Sequence, residues 1–150
     1  MIGLQGSGKS FQAKKLVADH LKAVPFSQAA VVSADDYYVD EDGVYRYDPA
    51  LIGEAHAECF RKFVEYVGRF RADKDLVVVD NTNMCNWERS PYMMLARALG
   101  HKTKLVHVRC DPEICARRNT HGVPAETIFD QAKRLETPFP WWDFEVVDTL

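Results

Sequence analysis

The segment Gly3–Ser10 reads GLQGSGKS and fits the phosphate-loop pattern G-x-x-x-x-G-K-[ST]. Glycines in this pattern permit backbone conformations that other residues resist, so that N–H groups can point inward at an anion. The pattern places the Lys9 ammonium at the β- and γ-phosphates of a nucleotide and the Ser10 hydroxyl on Mg²⁺. It therefore predicts a nucleotide site. The candidate nucleotide-binding residues in this part of the chain are Gly3, Gly6, Ser7, Gly8, Lys9, Ser10 and Phe11.

Acidic residues follow the next two apolar runs of the sequence. Asp35 and Asp36 lie in SADDYY, whereas Asp80 ends LVVVD and is followed by NTN, which contains Asn83. Phosphoryl transfer to a hydroxyl needs a carboxylate that orients the hydroxyl and accepts its proton, and either Asp35 or Asp36 fits this role. An acid at a strand end, such as Asp80, can hold Mg²⁺ through water, as in a Walker B arrangement. The alternative is that these acids cap a helix or form turns.

Two adjacent arginines, Arg117 and Arg118, lie in CARRNTHGVP, where a helix is predicted to enter a loop. Negative charge on a transferring phosphoryl group calls for an arginine on a mobile lid. Adjacent helical residues point to different faces, so one of the two is expected to face the nucleotide. The alternative is a solvated charged face. We interpret the nearby His121 as a polar lid residue rather than a metal ligand, since no partner has suitable spacing.

Helices and strands alternate along the chain. Helical spacing and cap residues predict helices at 9–23, 49–70, 86–99, 111–119 and 124–136, and short apolar runs predict strands at 29–33, 76–79, 104–108 and 144–147. Residues 35–48 are predicted to be a loop. The alternation indicates an α/β three-layer fold with a parallel sheet and a small lid, in which ligands bind at the carboxyl ends of the strands. Only Met1 and Ile2 precede the phosphate loop, so the leading strand should be short, at a cost to stability more than to chemistry.

Composition limits the function classes. The 150 residues are expected to form one domain, 1–150, and carry a formal charge of -3 from 19 Lys+Arg and 22 Asp+Glu. A protein that binds nucleic-acid backbone strongly is usually basic, so any such contact here should be local or weak. No apolar run is long enough to cross a membrane, and the cysteines form no zinc or disulfide pattern. We therefore expect a cytoplasmic protein with reduced thiols.

Several segments together resemble the polynucleotide-kinase-like group of P-loop kinases. They are GLQGSGKS, SADDYY, YDPALIGEAH, VVVDNTNMCNWERSPY and RRNTHGVPAETIFDQAKRLE, which cover residues 2 to about 138. The ATP-binding domain of the NEDD-four-binding-protein-two-like proteins is the most similar group. The resemblance implies a P-loop NTPase fold and, from related polynucleotide kinases, transfer of phosphate from ATP to a 5′-hydroxyl of DNA or RNA.

Site roles also follow from this resemblance. It implies that Lys9 and Ser10 contact the phosphates and Mg²⁺, that Asp35 is the general base, and that Arg118 covers the donor phosphates. It places Asp80 beside the acceptor and the metal. The sequence departs from the group at Tyr38, where bacteriophage polynucleotide kinases have an arginine that grips the acceptor's phosphate, and a second lid arginine of those enzymes falls near His121.

The sequence therefore predicts a kinase that depends on ATP and Mg²⁺ and phosphorylates a hydroxyl. The preferred candidate for the acceptor is a polynucleotide 5′-end. Other candidate acceptors are a small metabolite, a nucleoside or a hydroxymethylated base in DNA, because Tyr37, Tyr38, Tyr45 and Tyr47 could stack on a base. A module that binds ATP without turnover is the alternative from another class. The candidate residues by role are Lys9, Asp35 and Arg118 for catalysis, Arg117 for nucleotide, Asp36, Tyr38, Asp80 and Asn83 for acceptor, and Ser10 and Asp80 for metal.

Overall fold

A computed structural model describes residues 1–120 and 122–149. The helices are α1 (Lys9–Ala23), α2 (Ile52–Arg69), α3 (Asn86–Ala98), α4 (Pro112–Arg118) and α5 (Ala125–Arg134). The strands are β1 (Ala29–Val32), β2 (Leu76–Val79), β3 (Leu105–Arg109) and β4 (Phe144–Asp148). These elements confirm the predicted order and types. Two short 3-10 helices, Ala34–Tyr38 and Pro49–Leu51, are also present.

The prediction of a loop over residues 35–48 was wrong at its beginning. The 3-10 helix Ala34–Tyr38 starts directly after β1, where the Ser33 hydroxyl accepts a hydrogen bond from the Asp35 backbone N–H at 3.2 Å. A serine that caps a turn in this way favours a helical start. The segment is too short for an apolar period to reveal it.

The sheet consists of two parallel strand pairs. Met1 and Ile2, which precede the phosphate loop, connect the two pairs. β1 pairs with β2, and β3 pairs with β4, both in parallel. Ile2 lies beside β3, donating to the Val106 carbonyl at 2.8 Å and accepting from the Val108 N–H at 2.9 Å. On the other side, the Met1 nitrogen donates to the Val79 carbonyl at 2.7 Å. The expected short leading strand therefore lies at the centre of the sheet.

Helices cover both faces of the sheet, as predicted for a three-layer fold. Val78 of β2 packs in a core with Ala13 of α1, whereas its neighbours Val77 and Val79 contact the core of the opposite face, which includes Phe63 of α2. Alternate residues of a strand point to opposite faces, which explains the separation. The continuous apolar sequence LVVV thus packs against helices on both faces, and Val78 is its buried residue.

Helices α4 and α5 lie over the carboxyl ends of the strands. Cys115 of α4 and Ile128 of α5 are fully buried and pack with Leu4 and Met84. We call α4, α5 and the described residues between them the lid. Among the described residues, no helix is both long and apolar enough to cross a membrane.

Candidate functional site

An open cavity of about 550 Å³ lies at the carboxyl ends of the strands. The phosphate loop forms one side, the 3-10 helix and α2 form another, and the lid forms a third. Parallel α/β folds bind ligands at this edge because the polar strand ends and helix N-termini meet there. The described residues that line it are Gln5, Gly6, Gly8, Lys9, Ser10, Phe11, Ala34, Asp35, Tyr38, Tyr47, Ile52, His56, Asp80, Asn81, Thr82, Arg118, Thr120, Val123, Thr127 and Gln131.

The phosphate loop has the conformation that its glycines permit. Gly6 and Gly8 have φ values of 81° and 91°, in the left-handed region that favours glycine. A Cβ atom on Gly6 would lie 2.1 Å from the Cys115 carbonyl oxygen of α4, so the loop packs directly against the lid. Gly3 and Ser7 are buried and shape the loop from outside the cavity lining, whereas Phe11 lies at the cavity edge and is 76% exposed.

Lys9 is the buried cation of the cavity. Its Nζ donates to the Leu4 carbonyl at 2.8 Å. Burial lowers the pKa of Lys9, and the nearby carboxylates of Asp80 and Asp35 act in the opposite direction. The ammonium therefore sits in a site where little water screens it, which strengthens its attraction for phosphate oxygens.

Asp80 provides a carboxylate suited to a metal ion. Its Oδ1 atom is buried and has no hydrogen-bond partner within the described residues. Buried polar atoms are normally bonded, so this oxygen fits a cation or a water bound to one. Ser10 also lines the cavity. No cluster of three or more His, Cys, Asp or Glu side chains occurs in residues 1–120 and 122–149. Mg²⁺ would therefore take its other ligands from nucleotide phosphates and water, as it commonly does.

The structure separates the two adjacent acids. Asp35 lines the cavity, and its Oδ1 accepts a hydrogen bond from the Tyr45 hydroxyl at 3.3 Å. Asp36 is exposed and is absent from the cavity lining. In a 3-10 helix, neighbouring side chains point about 120° apart, which agrees with Asp35 but not Asp36 lining the cavity, and contact of Asp36 with the acceptor stays a prediction.

The arginines of the lid are separated in the same way. Arg118 lines the cavity together with Thr127 and Gln131 of α5. Arg117, the adjacent residue on the helix, does not line it, and its contact with the nucleotide stays a prediction. The expectation for His121 lies outside the described residues.

Asn83 is not among the residues that line this cavity, and its contact with the acceptor stays a prediction. The residue has a φ of 47°, and its side-chain amide donates to the Met1 carbonyl at 2.8 Å. The turn thus directs the side chain to the leading segment of the sheet. Arg89 fixes the same turn from α3, because its fully buried guanidinium donates to the carbonyls of Asn83 and Met84 at 2.7 and 2.6 Å.

Sequence reasoning missed several residues of the site. His56 and Ile52 of α2, and Thr127 and Gln131 of α5, line the cavity. The spacing of each pair by four residues is a helical-face signal, but it does not tell which face meets the cavity. Thr149 supports the phosphate loop, donating from its hydroxyl to the Ser7 carbonyl at 2.9 Å. Nothing in the local sequence indicates that contact.

Comparison with known proteins bears on this geometry. Residues 1–137 match the AAA domain family. The chain belongs to this family. It is also 36% identical over 132 residues to human NEDD4-binding protein 2, an alignment that covers 84% of this chain and 7% of the relative. The chain thus spans a small part of that relative's length, and the recognised resemblance is confirmed.

Solved structures share the fold of this family member. The Kti12 protein of Chaetomium thermophilum, in complex with ADP-AlF3, is 18% identical with a TM-score of 0.68, covering 98% of this chain and 86% of the other. The APS kinase CysC of Mycobacterium tuberculosis, in complex with AMPPNP and APS, is 19% identical with a TM-score of 0.59, covering 98% and 84%. The α/β fold of P-loop kinases is therefore the fold of this chain.

Proposed function

We propose that this domain transfers the γ-phosphate of ATP to a hydroxyl. The observation that carries the proposal is the meeting of Lys9, Asp35, Asp80 and Arg118 around one cavity. A phosphate loop alone is compatible with simple binding. An inward carboxylate and a lid arginine are the additional groups that transfer requires.

Each side chain has a role that follows from its position. The Lys9 ammonium neutralises charge on the β- and γ-phosphates, and the Arg118 guanidinium neutralises charge that develops on the transferring group. Asp35 accepts the proton of the acceptor hydroxyl while the hydroxyl oxygen forms a bond to the γ-phosphorus. The bond between the γ-phosphorus and the oxygen that bridges it to the β-phosphate breaks, and ADP leaves. Asp80 and Ser10 would hold Mg²⁺, which when bound supplies further neutralisation of phosphate charge.

The acceptor that we propose is a polynucleotide 5′-hydroxyl. The motif resemblance to polynucleotide kinases and the similarity to NEDD4-binding protein 2 support it. A small, uncharged hydroxyl compound is the second candidate. The observation in its favour is that the only lysine and arginine among the described cavity residues are Lys9 of the phosphate loop and Arg118 of the lid. The part of the lining that comes from the 3-10 helix, α2 and the segment between them includes Tyr38, Tyr47, Ile52 and His56. We call these residues the acceptor wall.

A panel assay tests this proposal. The protein would be incubated with Mg²⁺ and ATP labelled with ³²P at the γ position, together with 5′-hydroxyl oligonucleotides, hydroxymethylated DNA, nucleosides and sugars. We expect label on the oligonucleotide, and none with Lys9→Met. Label on a small compound alone would show that the acceptor is that compound and not a polynucleotide. Binding of ATP by the protein, with no acceptor labelled, would indicate a module that binds ATP and not a kinase.

A further inference from the structure

We propose that the acceptor wall recognises an uncharged nucleobase adjoining the reacting hydroxyl, and that it does not recognise a phosphate. The Tyr38 hydroxyl would hydrogen-bond this base, and the Tyr47 ring would stack on it. The inference rests on the proposed transfer reaction and names the substrate group that its acceptor side accommodates.

The Tyr38 hydroxyl is the first observation. Tyr38 lines the cavity and is only 6% exposed, and its buried hydroxyl has no hydrogen-bond partner among the described residues. A buried polar atom without a partner is rare in native structures, so it points to a missing ligand or water. Burial also raises the pKa of Tyr38, so the phenol stays neutral and can donate as well as accept.

The second observation is the position of this hydroxyl relative to the general base. Asp35 and Tyr38 are three residues apart in the 3-10 helix, and residues at this spacing lie on the same face. Both side chains line the cavity. A group that is bonded to Tyr38 is therefore next to the hydroxyl that Asp35 would deprotonate.

The third observation is the distribution of charge. The arginine and lysine side chains among the described cavity residues are Lys9 and Arg118, and they belong to the phosphate loop and the lid. An acceptor phosphate near Tyr38 would face the Asp35 carboxylate without a cation on the same wall. Like charges repel, so the Asp35 carboxylate disfavours a phosphate on this wall.

The aromatic side chains of the wall favour a nucleobase as the group that is bound. The rings of Tyr38 and Tyr47 are 5.0 Å apart at an angle of 62°, and Tyr47 remains 49% exposed. Ile52, which also lines the cavity, is 46% exposed. An exposed aromatic ring in a cavity that also has an exposed apolar side chain suits base stacking, which tolerates any base. The imidazole of His56 adds a hydrogen-bonding group on the same wall. Tyr37 is not part of it, because its hydroxyl donates to Glu54 at 2.8 Å outside the cavity.

Calorimetric titration of the full chain saturated with Mg²⁺ and AMP-PNP tests the proposal, since binding is read without transfer. The titrants are thymidine, thymidine 3′-phosphate and the base-free sugar 1,2-dideoxyribose. Thymidine avoids competition for an adenine site. We expect thymidine and its 3′-phosphate to bind with Kd values within about threefold of each other, and the sugar to bind at least about tenfold more weakly.

Matched variants assign the effect to the wall. Tyr38→Phe and Tyr47→Ala should each weaken thymidine binding by about fivefold or more, whereas the control Tyr37→Phe should change it by less than about twofold. Tenfold tighter binding of the 3′-phosphate, equal binding of the base-free sugar, or no thymidine binding would overturn the inference. Those results leave phosphate transfer to another acceptor intact. Conversely, thymidine binding without any labelled product in the panel assay would remove the proposed function while this site remains.

Discussion

At the scale of single residues, Lys9 combines a functional and a structural effect. Its pKa is lowered by burial, so the ammonium binds its proton less tightly in the folded state than in the unfolded chain. The charge therefore opposes folding at neutral pH, and this cost disappears as the pH rises through the range between the two pKa values. A residue that lowers stability when nucleotide is absent is best explained by what it does when phosphate is bound.

Lys9→Met should separate these two effects. The unfolding free energy without nucleotide should stay within about 1 kcal/mol of the original protein, because the buried charge and its hydrogen bond to Leu4 are lost together. The stabilisation by excess ATP should vanish, whereas a binding-competent protein gains about 2.7 kcal/mol at a ligand concentration 100 times Kd. Thermal unfolding with and without ATP measures both quantities. Lys14→Ala, at an exposed position of α1, is the control. Turnover of the Met variant within about tenfold of the original would contradict the assignment.

The acid pair gives a second test at this scale. Asp35→Asn keeps the oxygen that accepts the Tyr45 hydrogen bond but removes the base. We expect kcat to fall by about 10²-fold or more, with ATP affinity little changed. Asp36→Asn should change kcat by less than about threefold, because Asp36 lies outside the cavity lining. Steady-state kinetics with the acceptor found in the panel assay measures both. A larger loss of kcat in Asp36→Asn than in Asp35→Asn would show that Asp36 is the general base.

Motif chemistry predicts part of this site from sequence alone. Lys9, Asp35 and Asp80 follow strands or lie at the beginning of helices, Arg118 ends α4, and parallel strands bring their ends to one edge. The orientation of Asn83 could not be predicted in this way, because its backbone has a φ of 47° and its side chain bonds to the Met1 carbonyl. The positions of His56 and Thr149 could not be predicted either, because only the packing of α2 and of the chain after β4 brings them to the loop and cavity.

At the scale of elements, the phosphate loop and the lid form one packed unit. The Gly6 Cα faces the Cys115 carbonyl so closely that no side chain fits. Helix and strand bounds are well predicted, since proline, glycine and β-branched runs mark them. The close contact between loop and lid is not predictable, because it joins segments more than 100 residues apart in the sequence, as Gly6 and Cys115 show.

Gly6→Ala tests this packing against Gly43→Ala. Both glycines have positive φ, 81° and 78°, but a Cβ on Gly43 would meet nothing within 4 Å. Gly43→Ala should cost about 1–2 kcal/mol of unfolding free energy through backbone strain alone. Gly6→Ala should cost more and should also abolish ATP stabilisation, because the loop or α4 must move. Urea unfolding with and without ATP compares them. Equal costs and retained ATP stabilisation in both variants would show that the contact is unimportant.

At the scale of the whole molecule, net charge limits how a nucleic acid could be held. The chain carries a formal charge of -3. If the acceptor is an oligonucleotide, the logarithm of its affinity should fall with the logarithm of salt concentration with a slope of only about -1 to -3, since each neutralised phosphate contributes about -0.7 to -0.9. Tyr38→Arg should steepen the slope by about one such contribution for a strand with a 3′-phosphate. KM across a salt series measures it, and a slope steeper than about -5 in the original protein would indicate an extended basic surface.

The most direct test of the account compares two labels. The protein would be given Mg²⁺, a 5′-hydroxyl oligonucleotide or other acceptor from the panel, and ATP labelled with ³²P at either the γ or the α position. Transfer of the terminal phosphate predicts label on the acceptor from γ-labelled ATP and none from α-labelled ATP, with the γ signal reduced about 10²-fold or more in Asp35→Asn. Label from the α position, or no label from either although ATP raises the unfolding temperature, would contradict the central claim that this cavity moves a phosphoryl group to a hydroxyl.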